Sequence, residues 1–119
     1  ADLTIVELGT NDFGFAPDPL YSSHSKEEAK YKFLMTEYLG PLQKVSKVCL
    51  VRAPRPEKRT MQNGVANINY IATSWAHENG VKVVEFPSFV LDDRAPDGIH
   101  FKAAAYKRFA ARVEALCQR

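Results

Sequence analysis

Apolar residues along this chain follow two periods. Leu3–Leu8, Val45–Val51 and Val81–Phe86 are short runs rich in β-branched residues, and each ends at a breaker: Gly9, the segment Ala53-Pro54-Arg55-Pro56, and Pro87. Runs of this kind read as strands that deliver their C-terminal ends to loops. After each strand the period lengthens to that of a helix. Tyr31, Leu34, Met35, Tyr38 and Leu39 form the first such set, Met61, Val65, Ile68, Ala72, Trp75 and Ala76 the second, and Ala105, Phe109, Val113 and Leu116 the third. Ser25 with Glu28 has capping-box spacing and predicts the start of the first helix, with Gly40-Pro41 as its stop; Asn79-Gly80 supplies a left-handed stop for the second. Between Phe13 and Ser23, Gly14, Pro17 and Pro19 lie among aromatics with no regular period, so this stretch reads as a loop able to overhang a site.

Strand and helix in threefold alternation imply parallel strands joined by right-handed crossovers, and hence one three-layer α/β domain over residues 1–119. An apolar edge strand presents unpaired backbone groups, and Leu3–Leu8 carries few charges, so the strand fits a central place in a larger sheet better than a terminal one.

Composition changes this picture little. With 45% hydrophobic and 25% charged residues the chain of 119 residues has ordinary globular composition, and a net charge of +2 points to no particular partner. Lys and Arg gather at 52–59 and 102–119, which reads as solvated faces and helix-dipole compensation and not as a nucleic-acid surface. No run approaches the roughly 18 apolar residues of a membrane span and no basic-then-apolar leader opens the chain, so a soluble chain is expected with its compartment left open. Cys49 and Cys117 lack metal-ligand or Cys-x-x-Cys spacing and are expected as two buried free thiols; a bridge between them would point to an oxidising compartment. These spacings give no reason to expect a metal site.

Candidate chemistry lies in two turns, Gly9-Thr10-Asn11-Asp12 after the first strand and Asp97-Gly98-Ile99-His100 before the last helix. Ligand sites of open α/β sheets lie off the C-terminal ends of the strands, where both turns fall. The imidazole of His100 suits a general base, with Asp97 three residues earlier able to set its tautomer. Asn11 offers a side-chain amide as an oxyanion donor, and Gly9 lets the backbone turn tightly beneath it. Each turn also has a plainer reading: Asn-Asp is a common turn pair, and Asp97 could merely cap or close a turn.

Together, the Gly-x-Asn-Asp and Asp-x-x-His turns resemble the third and fifth sequence blocks of the SGNH (GDSL-like) serine hydrolases. Asn67-x-x-Tyr70, the Asn-Gly-Val entry at 79–81, and Ala105-Tyr106 with Phe109-Ala110 are similar to that family as well, although Ala105 stands where Gly is commoner. The resemblance implies a flavodoxin-like three-layer α/β/α SGNH hydrolase fold with a parallel sheet, lacking its first one or two β/α units. It implies ester hydrolysis or O-acyl transfer by a Ser-His-Asp mechanism without a cofactor, on an ester-bearing small molecule or acylated glycan. Asn11 would be the oxyanion donor, Asp97 the orienting carboxylate and His100 the base, with Gly9 and Asp12 in support.

The family's Gly-Asp-Ser block is absent from the sequence, so the nucleophile would come from a second chain or segment. Of the serines present, Ser22, Ser23 and Ser25 belong to a loop and a cap, Ser46 to a strand and Ser74 to a helix, while Ser88, after the third strand, is nearest the expected site. None has a strand-to-helix elbow of small residues around it. His24 and His77 are expected to face solvent. Phe13, Phe15 and Tyr21 either line an acyl or sugar surface or pack their own loop. The rival function is a catalytically inactive SGNH-like module that binds a glycan, an acyl group or a protein. A nucleotide-binding domain is disfavoured, because no helix follows directly on Gly9–Gly14.

Overall fold

The computed structural model describes residues 2–7 and 24–119, the side chains of residues 24–27 excepted. The elements are β1 (Leu3–Glu7), α1 (His24–Gln43), β2 (Lys47–Val51), α2 (Arg59–Glu78), β3 (Lys82–Val84), a 3₁₀ turn (Leu91–Asp93) and α3 (Ala103–Gln118). The three strands pair in parallel in the order β1-β2-β3.

Side-chain alternation along β2 builds the layers. Val48 and Leu50 enter a core with Tyr31, Met35 and Leu39 of α1 and with Ile68, Ile71, Ala72, Trp75 and Ala76 of α2. On the opposite face Cys49 and Val51 meet Val84, Val113 and Cys117. Two helices thus cover one face of the sheet and α3 the other, the arrangement that makes a parallel strand apolar on both sides. Polar pins fix α1 on α2: Trp75 Nε1 donates to Thr36 Oγ1 at 3.0 Å, and Lys32 Nζ to Ser74 Oγ at 3.0 Å and Glu78 Oε1 at 2.7 Å.

Strand register decides where a site can form. Glu7 pairs with Val51 and Val51 with Val84, so all three strands end in one row and their following loops open along one edge. At the far end of α2, Val81 N donates to Ala76 O at 2.8 Å and Gly80 takes φ 67°, closing the helix as Asn79-Gly80 predicts.

Three expectations change. Cys49 and Cys117 are not free thiols but a disulfide, with Cα atoms 5.8 Å apart. Cys49 faces α3 from the middle of β2, and Cys117 lies on the same buried stripe of α3 as Phe109 and Val113, so packing brings together two residues that sequence separates widely. Helix α1 does not stop at Gly40-Pro41 but runs through Pro41 to Gln43. The missing Pro N–H falls in the last turn, where buried Leu39 and partly buried Leu42 hold the chain against the core. Tyr38, expected on the inner stripe of α1, is 74% exposed, because the buried stripe is the narrower Tyr31, Met35, Leu39 set. Among the described residues β1 lies at the sheet edge and pairs with β2 alone. Its apolar residues are explained by the covered faces, Leu3 packing on the α3 side and Val6 on the α1–α2 side, while Ile5 is 39% exposed.

Two strands are also shorter than expected. Val45 and Ser46 still bond to Leu42 O at the end of α1, which delays β2 to Lys47, and β3 ends at Val84. The expected cap at Ser25 lies outside the described residues.

Candidate active site

Beyond β3 the chain crosses the row of strand ends, makes its 3₁₀ turn and doubles back as a narrow hairpin before α3. Its stem is an antiparallel bridge between Arg94 and Phe101, reinforced by Lys102 N donating to Asp93 O at 2.8 Å and Ala95 N to His100 O at 3.0 Å. Its tip is Ala95-Pro96-Asp97-Gly98, closed by Gly98 N donating to Ala95 O at 3.1 Å. Gly98 has φ 71°, and its carbonyl accepts from Glu57 N at 2.9 Å, so the tip rests against the loop that follows β2.

Asp97 serves both of its sequence readings at once. Its Oδ1 accepts from Ile99 N and from His100 N, each at 2.9 Å, and closes the turn. Its Oδ2 lies 2.5 Å from His100 Nδ1. It does not cap α3, which begins after Lys102. The hydrogen bond from His100, followed by those from the two backbone amides, holds the Asp97 carboxyl well below the usual carboxylate range. The ionised carboxylate can only accept, so His100 Nδ1–H is the donor, and Nε2 is left with the lone pair that a general base needs.

His100 lines a cleft of about 150 Å³ together with Glu7, Pro54, Phe86, Ile99, Phe101 and Tyr106. Glu7 comes from the end of β1, Pro54 from the loop after β2 and Phe86 from the segment after β3, which puts the cleft over the C-terminal edge of all three strands. The pair is accessible, with His100 64% and Asp97 44% exposed. Behind it, Phe86, Phe89, Phe101 and Phe109 pack as an aromatic cluster, with Phe86 stacked on Phe101 at 5.3 Å between ring centres. Tyr106 Oη accepts from Phe101 N at 3.2 Å at the start of the descent into α3.

Of the predicted site residues, the structure brings Asp97 and His100 together. Gly9, Asn11 and Asp12 lie outside the described residues, as do Phe13, Phe15, Tyr21, Ser22, Ser23 and the side chains of His24 and Ser25. His77 is exposed in the last turn of α2, as expected. Ser88 is exposed, and among the described residues no serine lines the cleft. No helix among the described residues is long and apolar enough to cross a membrane, and none of their His, Cys, Asp and Glu side chains gather in a group of three able to hold a metal ion.

Sequence reasoning missed two residues that build this edge. Asn69 of α2 is buried; its Oδ1 accepts from Ala53 N and its Nδ2 donates to Ala53 O, both at 2.8 Å, which anchors the chain where β2 gives way to loop. Arg94 is 5% exposed, with its guanidinium against the Phe89 and Phe101 rings, 4.7 and 4.1 Å from their centres. Its Nη1 donates to Ile99 O and its Nη2 to Arg55 O, each at 2.5 Å. An inward-facing Asn on a helix and a lone Arg in a loop carry no local pattern that marks them.

No family model and no curated protein matches this chain. Among solved structures, 97% of the chain is similar to 60% of the native aryl esterase of M. smegmatis, with a TM-score of 0.56 and 25% identity. Likewise 98% of it is similar to 59% of a suspected arylesterase from Agrobacterium tumefaciens str. C58, with a TM-score of 0.55 and 23% identity. The chain therefore spans about three fifths of the length of each and shares with them an α/β fold built on a parallel sheet.

Proposed function

We propose that this chain forms part of an SGNH-type ester hydrolase and supplies its Asp-His pair. The observation that carries the reading is the Asp97–His100 couple, Nδ1 on the carboxylate and Nε2 free to act as base, on a cleft over the C-terminal ends of three parallel strands. The fold shared with two aryl esterase structures supports it. A serine hydroxyl attacks the acyl carbonyl and gives its proton to His100 Nε2; His100 returns that proton to the departing alcohol. Water then repeats the sequence on the acyl-enzyme and frees the acid, or a second alcohol takes the acyl group. Asp97 holds the imidazole in the productive tautomer and stabilises the imidazolium. Asn11 supplies an oxyanion donor, with Gly9 and Asp12 shaping its turn. The serine comes from a segment or chain outside these 119 residues. The aromatic walls of the cleft, Phe86, Phe101 and Tyr106, suit aryl esters and other small esters, acylated glycans included.

The test is p-nitrophenyl acetate hydrolysis by the protein isolated with whatever polypeptide accompanies it, combined with fluorophosphonate labelling to locate the serine by mass spectrometry. Turnover should fall roughly 10²–10⁴-fold in His100→Ala, as for loss of a general base. Turnover indifferent to His100, or no labelled serine in any accompanying chain, would overturn the reading and leave the inactive binding module in its place.

A further inference from the structure

We infer that Arg94 is the positioning residue of the Asp97–His100 couple, holding the peptide that presents the imidazole. The Ile99–His100 peptide group is gripped from both ends: its N–H donates to Asp97 Oδ1 at 2.9 Å, and its C=O accepts from Arg94 Nη1 at 2.5 Å. The other arm of the same guanidinium, Nη2, reaches Arg55 O in the loop after β2. One planar group therefore ties the hairpin limb that carries His100 to the edge of the sheet.

The cation is held in place by its surroundings. It lies against both the Phe89 and Phe101 rings, which pack edge to face on each other, and Phe101 directly follows His100, so the ring that covers the guanidinium is fixed to the residue it orients. Burial pushes the Arg94 guanidinium down from its ordinary value, the cost expected of a charge whose direct partners are two carbonyls and two ring faces. Lysine cannot replace it. A single ammonium does not span two carbonyls in one plane or lie flat against a ring face.

Without this grip the Ile99–His100 peptide is free to rotate about the Asp97 contact, and the imidazole loses the direction that keeps Nδ1 on the carboxylate. The tautomer of a histidine is set by the hydrogen bond its other nitrogen makes. Positioning by Arg94 is thus visible as the protonation site of the neutral ring.

The experiment is ¹⁵N spectroscopy of histidine-labelled full chain at a pH where the rings are neutral, with His100 assigned by its loss in His100→Ala. Wild type should show His100 chiefly as the Nδ1–H form. Arg94→Met, which keeps the volume and removes the donors, should shift it to a mixture with the Nε2–H form, and Arg94→Lys should shift it in the same direction. Val113→Ala, which loosens α3 on the sheet away from the hairpin, should leave the tautomer unchanged. Should Arg94→Met fail to fold, Arg94→Lys gives the reading. An unchanged tautomer in either folded variant, or an equal shift in Val113→Ala, would overturn the inference. Although the catalytic consequence rests on the proposed function, the tautomer is read without substrate. Esterase turnover indifferent to His100→Ala would overturn the function alone, and an unchanged tautomer would overturn the role of Arg94 alone.

Discussion

At Gly98 the hairpin tip takes a left-handed φ, and a Cβ there would lie 3.4 Å from Glu57 Cβ, with Lys58 N 3.7 Å away. Gly80 has nearly the same φ but open space around it. Both substitutions to Ala therefore carry the left-handed penalty of roughly 1–2 kcal/mol, and at Gly98 the added methyl meets the loop after β2 at ordinary contact distance. Denaturant titration should show losses of that size at both positions, and a much larger loss at Gly98 would show that the loop after β2 does not accept the methyl. The Asp97-Gly98-Ile99-His100 turn was legible because its parts are local: a carboxylate, a permissive glycine and an imidazole within one turn of chain. Arg94 was not legible. Its partners are carbonyls of Ile99 and Arg55 and the rings of Phe89 and Phe101, and neither carbonyls nor ring faces leave a mark in the pattern of residue types.

At the scale of elements, the bridge from Cys49 to Cys117 staples the end of α3 to the middle of β2 and closes a loop with a sequence separation of 68. Replacing both cysteines by alanine should cost roughly 2–5 kcal/mol of stability against urea, most of it through the freed unfolded chain. Loss of less than about 1 kcal/mol would mean that the packing of Val113 against Val51 and Val84 already holds α3 without the bridge. Helices were read well wherever a broad apolar stripe met a sheet: α2 was marked by Met61 through Ala76, and the packed stripe is that set with Ile71 and polar Asn67 and Asn69 added. The end of α1 was misread because proline disfavours a helix locally, while Leu39 and Leu42 gain burial only once the sheet is present. The disulfide was misread for a related reason. Spacing along the chain says nothing about which face of a strand meets which face of a helix.

Across the whole molecule the hairpin, the 3₁₀ turn and α3 are joined by carboxylates whose protonation is held down in the folded state. For Asp97 the cause is the hydrogen bond from His100, then the two backbone amides; for Asp93 it is the amide of Val90, at 3.0 Å, then the Arg108 guanidinium. A carboxyl with a depressed folded pKa stabilises the fold above its unfolded value of about 3.9 and loses that contribution as pH falls toward the folded one. The melting temperature of the wild type should therefore exceed that of Asp97→Asn at neutral pH, and the two curves should converge as pH drops below about 4. Curves that stay parallel through that range would show that the Asp97 charge contributes nothing to holding the hairpin. By itself the amino-acid sequence determined the order of strands and helices, the parallel α/β class and the Asp97–His100 pairing, because periodicity, breakers and a one-turn motif are properties of neighbouring residues. Only the tertiary structure decided the Cys49–Cys117 bridge, the anchoring of the strand edge by Asn69 and the burial of Arg94 behind His100. Each of these depends on which faces meet once the chain has folded, and on hydrogen bonds to backbone that every residue carries alike.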